Sequence, residues 1–281
     1  MSVKYGLKNI NIINFIYELA DIKKLKFEEL YQEENMKKLE LDVHTHTIAS
    51  GHAYATILEM AKEASLRGIK LLGITEHTQG IPGACDDFYF ANLRVVPREM
   101  FGIELMLGAE INILDYDGNL SFPDENMYLL DLRIAGIHKF CYNHGTIEEN
   151  TRAIVNTIKN PQIDIISHPD DGNCPLDYET VVKVAKDYHT LLEVNNNSLK
   201  NFKSRKNVFE NSITLLKLCK QYKIPVLFSS DAHFTTGIGN TEEIEKVLKE
   251  VEFPEDLVIN YSVENFKNFI RENRENRKHL K

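Results

Sequence analysis

From Leu39 onward the chain alternates short apolar runs with longer stretches in which apolar residues recur at helical spacing. The runs are Leu39–Val43, Lys70–Ile74, Glu104–Leu114, Leu130–Ile137, Ile163–Ile166, Leu191–Val194 and Val226–Phe228. They are rich in Leu, Ile and Val and nearly continuous, as expected of parallel strands covered on both faces. Between most of them lie segments that predict amphipathic helices: Tyr54–Arg67, Glu148–Lys159, Asp177–Tyr188 and Asn207–Tyr222. Thr241–Val251 and Ser262–Asn273 follow the last run. Gly68 stands where a helix C-terminus is expected, Pro161 follows a second helix, and Ser262 can cap the last one. Strand–helix alternation over seven runs predicts a parallel α/β architecture, either a closed barrel or an open doubly wound sheet.

Residues 1–38 break this pattern. They contain no Gly beyond Gly6, no Pro and no His, and from Ile10 their apolar residues fall at loosely helical spacing. One or two helices, Ile10–Ala20 and Phe27–Lys38, are expected as an N-terminal helical extension preceding a barrel domain over residues 39–281. They would lie on the main body or form a contact between copies, so a homo-oligomer stays open.

Composition narrows the class. The 281 residues are 43% hydrophobic, enough for a full core, and the formal net charge of -9 disfavours nucleic acid as the partner. Cys85, Cys141, Cys174 and Cys219 form no CxxC pair, which points to a reduced, cytoplasmic protein. The N-terminus lacks the pattern of a cleaved leader, and no apolar stretch approaches the roughly 18 residues needed to span a bilayer. A soluble protein with no membrane partner is expected.

The polar residues that close the runs carry the chemistry. The first run leads into His44-Thr45-His46, the second reaches His77, the third contains Glu110, and the fourth reaches His138. The fifth reaches His168 and the seventh Asp231-Ala232-His233, while the sixth ends in the weaker set Asn195-Asn196-Asn197-Ser198. Residues at the C-terminal ends of parallel strands meet at one mouth of a barrel. A lone His is more often a hydrogen-bonded surface or core residue than a ligand. His44 and His46, two apart on an extended chain, face the same side and can bind one ion together. Glu110 and Asp231 suit a bridging role, and a His/carboxylate set without thiolates favours Zn, Mn or Fe. His144, His189 and His279 follow no strand end and are expected on the surface.

These motifs resemble the PHP (polymerase and histidinol phosphatase) superfamily. The resemblance rests on Asp42-Val43-His44-Thr45-His46-Thr47, Ala49-Ser50-Gly51-His52-Ala53-Tyr54 and Ile74-Thr75-Glu76-His77. It continues in Gly108-Ala109-Glu110-Ile111-Asn112, Ala135-Gly136-Ile137-His138, Ile166-Ser167-His168-Pro169, Leu192-Glu193-Val194-Asn195-Asn196 and Ser229-Ser230-Asp231-Ala232-His233. The His52-Ala53-Tyr54 segment is most similar to the YcdX-like phosphatases. The resemblance implies a distorted seven-stranded (β/α)7 TIM-like barrel with three divalent metal ions at its mouth, zinc foremost, with manganese or iron as alternatives. It implies one ion on His44, His46, Glu110 and Asp231, a second on Glu110, His138 and His168, and a third on His52, His77 and His233. His52 enters through the resemblance alone. Glu76 stands where Asp is common and Ala232 where Ser is frequent, and neither departure removes a ligand.

The activity implied is hydrolysis of a small phosphorylated metabolite, a phosphomonoester, by metal-activated hydroxide. His44, His46, Glu110, Asp231 and His233 form the catalytic set. Arg94 and Arg205 are the expected phosphate-binding cations, with Arg98 and Lys206 as weaker candidates. Phe88-Tyr89-Phe90 and Asn195–Ser198 are candidates for shaping the pocket. The alternatives are a histidinol-phosphate phosphatase, an amidohydrolase-type hydrolase and a non-catalytic metal-binding module.

Overall fold

Side-by-side pairing of the apolar runs is what covers both faces of each strand. In the computed structural model, which describes residues 37–200 and 204–276, β1 (Leu41–Asp42), β2 (Leu71–His77), β4 (Ile103–Asn112), β5 (Leu132–Gly136), β6 (Ile165–Ile166), β7 (Leu191–Asn195) and β8 (Val226–Ser229) pair in that order, every pair parallel. These elements belong to a compact unit that begins at Leu39. The expected N-terminal helices lie outside the described residues, apart from Lys37 and Lys38.

The seam between β1 and β8 decides between barrel and open sheet. Thr45 bridges Ala232 in parallel, and the His46 N–H donates to the Ala232 carbonyl at 2.9 Å. Asn260 clamps the same seam. Its Oδ1 accepts the Phe228 N–H at 2.7 Å, and its Nδ2 donates to the carbonyls of Phe228 (2.7 Å) and Leu41 (3.1 Å). The buried Asp42 carboxylate adds bonds from the Ser230 N–H, the Ser230 hydroxyl and the Gly239 N–H. The result is a nearly closed seven-stranded parallel barrel of TIM-like α/β type.

Helices flank the strands where the periodicity predicts them. They include α1 (Ile57–Leu66), α3 (Ile147–Lys159), α4 (Tyr178–Asp187), α6 (Val208–Tyr222) and α7 (Glu242–Val251), with α8 (Val263–Asn276) last. Thr56 with Glu59 and Thr146 with Glu149 form capping boxes that start α1 and α3. Gly68, at φ 79°, follows the end of α1 as expected.

Four short elements are not legible in the periodicity. A two-residue β3 (Glu99–Met100) flanks β4 antiparallel, and short helices α2 (Asp87–Asn92) and α5 (Asn196–Lys200) follow β2 and β7. Between β4 and β5 the chain makes a 3-10 helix, Asp124–Leu129, in place of an α-helix.

The core has two layers. Strand residues facing outward pack against the helices. Those facing inward, Leu41, Val43, Leu71, Leu132, Ile134, Ile165, Leu191 and Leu227, meet Phe266, Phe269 and Ile270 of α8. Most of them start their strands, so α8 plugs the N-terminal end of the barrel. Arg274 secures it, donating to the Asp164 carboxylate at 2.6 and 2.9 Å. The opposite end is left to polar side chains.

Candidate metal centre

At that opposite end the strand termini deliver their polar residues to one spot. Glu110, 1% exposed, sits at the middle. Its Oε1 lies 2.8 Å from His168 Nε2 and 3.1 Å from His138 Nε2. Its Oε2 lies 3.0 Å from His77 Nδ1 and 3.3 Å from His44 Nε2. Asp231 Oδ1 lies 3.2 Å from His46 Nε2 and 3.5 Å from His233 Nδ1. His52 comes from the 3-10 turn region after β1; its ring is 5.0 Å from that of His77 and 4.8 Å from that of His233. The structure therefore brings all nine expected residues together.

Ligand atoms within 4.8 Å of one another fall into three sets: His44, His46 and Asp231; His46, His77 and His233; and His77, Glu110 and His138. The first set shares three members with the first ion site implied by the resemblance. In the other two, His77 takes a more central place, while His52 and His168 stand outside the sets.

The donors fit divalent cations. His44 Nε2, His46 Nε2 and His77 Nδ1 are buried without a hydrogen-bond partner, a costly state unless a ligand satisfies them. Burial works against a charged His44, yet Glu193, Glu110 and Asp231 outweigh it and hold its pKa well above the usual value. Those carboxylates call for positive charge at this point. Burial, with the charge of His77, pushes His46 well below its usual value. For Glu110 and Asp231 burial opposes ionisation, but the surrounding imidazoles win, His44 foremost, and both carboxyls stay well below their usual range. Asp231 (φ 51°) and His168 (φ 32°) hold left-handed backbone, a strain typical of functional sites.

Behind the candidate ligands stand supporting residues, of which Glu193 lies outside the strand-end pattern and Asn195 and Asn197 were expected only to shape the pocket. Glu193 on β7 accepts from His44 Nδ1 at 2.6 Å and from the His168 N–H at 2.7 Å. A carboxylate on Nδ1 leaves Nε2 free and fixes the ring. One signal could have found it: a Glu inside a strand covered on both faces needs a partner. Asn195 and Asn197 donate to Asp231 Oδ2 at 3.3 and 3.4 Å, which turns Oδ1 toward the histidines.

Seven of the nine candidate residues line a cavity of about 450 Å³, while His44 and His46 are fully buried. Arg205, Lys139, Phe140 and Asn173 line it, and so does His144, expected to be an ordinary surface residue. Arg205 Nη1 is buried without a hydrogen-bond partner. Arg94 is exposed on the turn Leu93–Val95 and does not line the cavity. Arg98 is occupied by Asp131 and the carbonyls of Leu93 and Val96, and Lys206 is exposed. Phe88-Tyr89-Phe90 lies in α2 away from the cavity, with Phe90 packed on Phe122 at 5.2 Å. His189 stacks on Phe269 at 3.8 Å, so it is a packing residue rather than a free surface one. His279 lies outside the described residues.

A nearly closed parallel barrel with buried His/Asp/Glu clusters at its mouth defines a class of metal-binding α/β barrel proteins. The PHP domain matches residues 42–259, and the chain belongs to that family. It is 45% identical over 233 residues to a protein of Caldicellulosiruptor saccharolyticus named "Probable phosphatase", covering 83% of this chain and 96% of the relative. A "Probable phosphatase" of Acetivibrio thermocellus is 42% identical over 238 residues, covering 85% of this chain and 98% of that one. The fold is similar to that of histidinol phosphate phosphatase from Lactococcus lactis, solved with Zn, L-histidinol and phosphate, at a TM-score of 0.53 and 17% identity, over 76% of this chain and 94% of that one. The four cysteines are free, and no helix among the described residues is long and apolar enough to cross a membrane.

Proposed function

We propose that this protein is a phosphatase that hydrolyses a small phosphomonoester with the help of up to three divalent ions, zinc foremost. One observation carries the reading. Buried ring nitrogens of His44, His46 and His77, without hydrogen-bond partners, stand beside Glu110 and Asp231, and His77, both carboxylates and Arg205 line one cavity. The ligand set is His44, His46, His52, His77, Glu110, His138, His168, Asp231 and His233. Divalent ions held there would supply a nucleophile at neutral pH by acidifying water and would draw charge from the phosphoryl oxygens.

The chain's own residues supply the rest. Glu110 offers one oxygen to His138 and His168 and the other to His44 and His77, so it joins two halves of the site. Arg205 lines the same cavity as the proposed ligands and would bind non-bridging phosphate oxygens there. Ile81, Ile137 and Phe140 give the leaving group an apolar wall. About 450 Å³ suits a small metabolite. Arg94 would act only from outside these walls, so we assign the phosphate contact to Arg205.

Phosphate release from a metabolite panel, with Zn or Mn added and metal content measured alongside, tests the reading. Turnover lost in His44→Ala/Asp231→Ala, and KM raised in Arg205→Ala at wild-type metal content, is the expected outcome. Turnover on lactones or amides with none on phosphate esters would replace the reading with an amidohydrolase-type one. No turnover on any panel would leave a metal-binding module.

A further inference from the structure

Ser50 is fully buried at the end of the turn Ile48–Ser50, and nothing above gives it a role. The turn is held firmly. Thr47 caps it, and Gly51 (φ 80°) passes so close to Gly83 that an added Cβ would sit 2.2 Å from the Gly83 carbonyl oxygen. The Ser50 hydroxyl therefore stays among three fixed partners: Glu76 Oε2 at 2.5 Å, His46 Nδ1 at 3.0 Å and the His77 backbone nitrogen at 3.0 Å.

A serine hydroxyl has one proton and two lone pairs. The His77 N–H can only donate, which uses one lone pair. Glu76 accepts from the Thr47 N–H, the Thr47 hydroxyl and the Tyr89 hydroxyl, so it acts as an acceptor throughout and takes the Ser50 proton. One lone pair on Ser50 remains, and it faces His46 Nδ1. His46 must donate there, so its proton sits on Nδ1 and Nε2 is left as a bare lone pair. Nε2 is the atom 3.2 Å from Asp231 Oδ1, buried and unpartnered.

We infer that Ser50, with its hydroxyl direction set by Glu76, is a positioning residue that selects the Nδ1–H tautomer of His46 and so presents Nε2 to a divalent cation. His44 reaches the same tautomer directly through Glu193. The two histidines of the His44-Thr45-His46 pair are thus backed from opposite sides, one by a carboxylate of β7 and the other by a carboxylate of β2 acting through a hydroxyl. The inference rests on the proposed function only in taking His46 as a ligand.

Long-range ¹⁵N–¹H spectra of the zinc-loaded full chain read the tautomer, and zinc titration reads the affinity. In the wild type, His46 should carry its proton on Nδ1; a proton on Nε2 overturns the inference without any variant. Glu76→Gln is the sharper test. The Thr47 donors would hold the new amide oxygen, leaving its NH₂ toward Ser50. The Ser50 proton then turns to His46 Nδ1 and forces the proton of the ring to Nε2. The expected result is zinc affinity lower by about 10- to 100-fold, with the proton on Nε2 in the unliganded fraction. Ser50→Ala should lose affinity on the same scale, and Ser50→Thr should restore it. A packing role alone predicts that the size-matched Glu76→Gln keeps wild-type affinity and the Nδ1 proton, which would overturn the inference. Zinc binding with the expected tautomer but no phosphate release would sink the hydrolytic reading and leave this one standing.

Discussion

Replacing Asn260 by Ala should open the barrel at its seam. The side chain is wholly buried and satisfies three backbone groups at once: the Phe228 N–H, the Phe228 carbonyl and the Leu41 carbonyl. A buried polar group left without a partner costs about 1–3 kcal/mol. The N–H has no second option, whereas each carbonyl keeps another lone pair, so the three together amount to roughly 3–5 kcal/mol. That is a large share of the stability of an ordinary domain, about 5–15 kcal/mol. Urea unfolding at fixed zinc concentration should show the loss, and the Phe228 amide should exchange faster than its β8 neighbours. Asn260→Asp separates hydrogen bonding from packing. It keeps the acceptor for Phe228 but turns an oxygen toward two carbonyls, so it should be at least as damaging at neutral pH and milder in acid, where protonation restores a donor. A loss below about 1 kcal/mol in Asn260→Ala, or unchanged Phe228 exchange, would refute the clamp.

Two other outcomes follow from the same structure. A Cβ on Gly136 would lie 2.2 Å from Ser167 Oγ and 2.9 Å from His168 Cε1, so Gly136→Ala should displace His168 and lower zinc affinity by about tenfold or more, measured by titration; unchanged affinity would refute it. Burial raises the Asp170 carboxyl to about 7, against the hydrogen bond from Ser212. Because its folded pKa lies above the ordinary 3.8, the folded state binds the extra proton, and stability present below 3.8 is lost as pH rises through about 7. That interval corresponds to roughly 4 kcal/mol. Asp170→Asn should flatten the pH dependence of unfolding free energy over this window, and an unchanged slope would count against the assignment.

Strands covered on both faces announce themselves as apolar runs, which is why all seven parallel strands were legible while the two-residue β3 was not. The clustering of eight of the nine candidate residues was legible because a parallel barrel must send strand ends to one mouth; His52, on a turn after β1, came only through the family resemblance. The strand ends shifted, though: β2 runs on to His77 and β4 starts at Ile103. Residues that act through others were hidden. Ser50 and Asn260 are ordinary turn residues in sequence, and only long-range closure gives their hydrogen bonds a destination. Barrel and open sheet share one periodicity, so Asp42, Ser230 and Asn260 had to be seen together before the seam could choose. Arg94 shows the converse limit, since a basic residue after a strand end reaches the mouth only if its turn points there.

The order in which the seam and plug are assembled bears on synthesis. The ligands run from His44 to His233, yet the clamp is residue 260 and the plug is residues 266–270. A growing chain thus holds every proposed ligand before it holds Asn260, which completes the seam, and α8, which plugs the far end. Contacts between such distant segments form slowly, and until they do the apolar strand runs stay exposed. His44 and His46 emerge early, but Asp231 comes beside them only once β8 has joined β1. A chain terminated near residue 258 would contain all nine proposed ligands and lack the Asn260 clamp and the α8 plug.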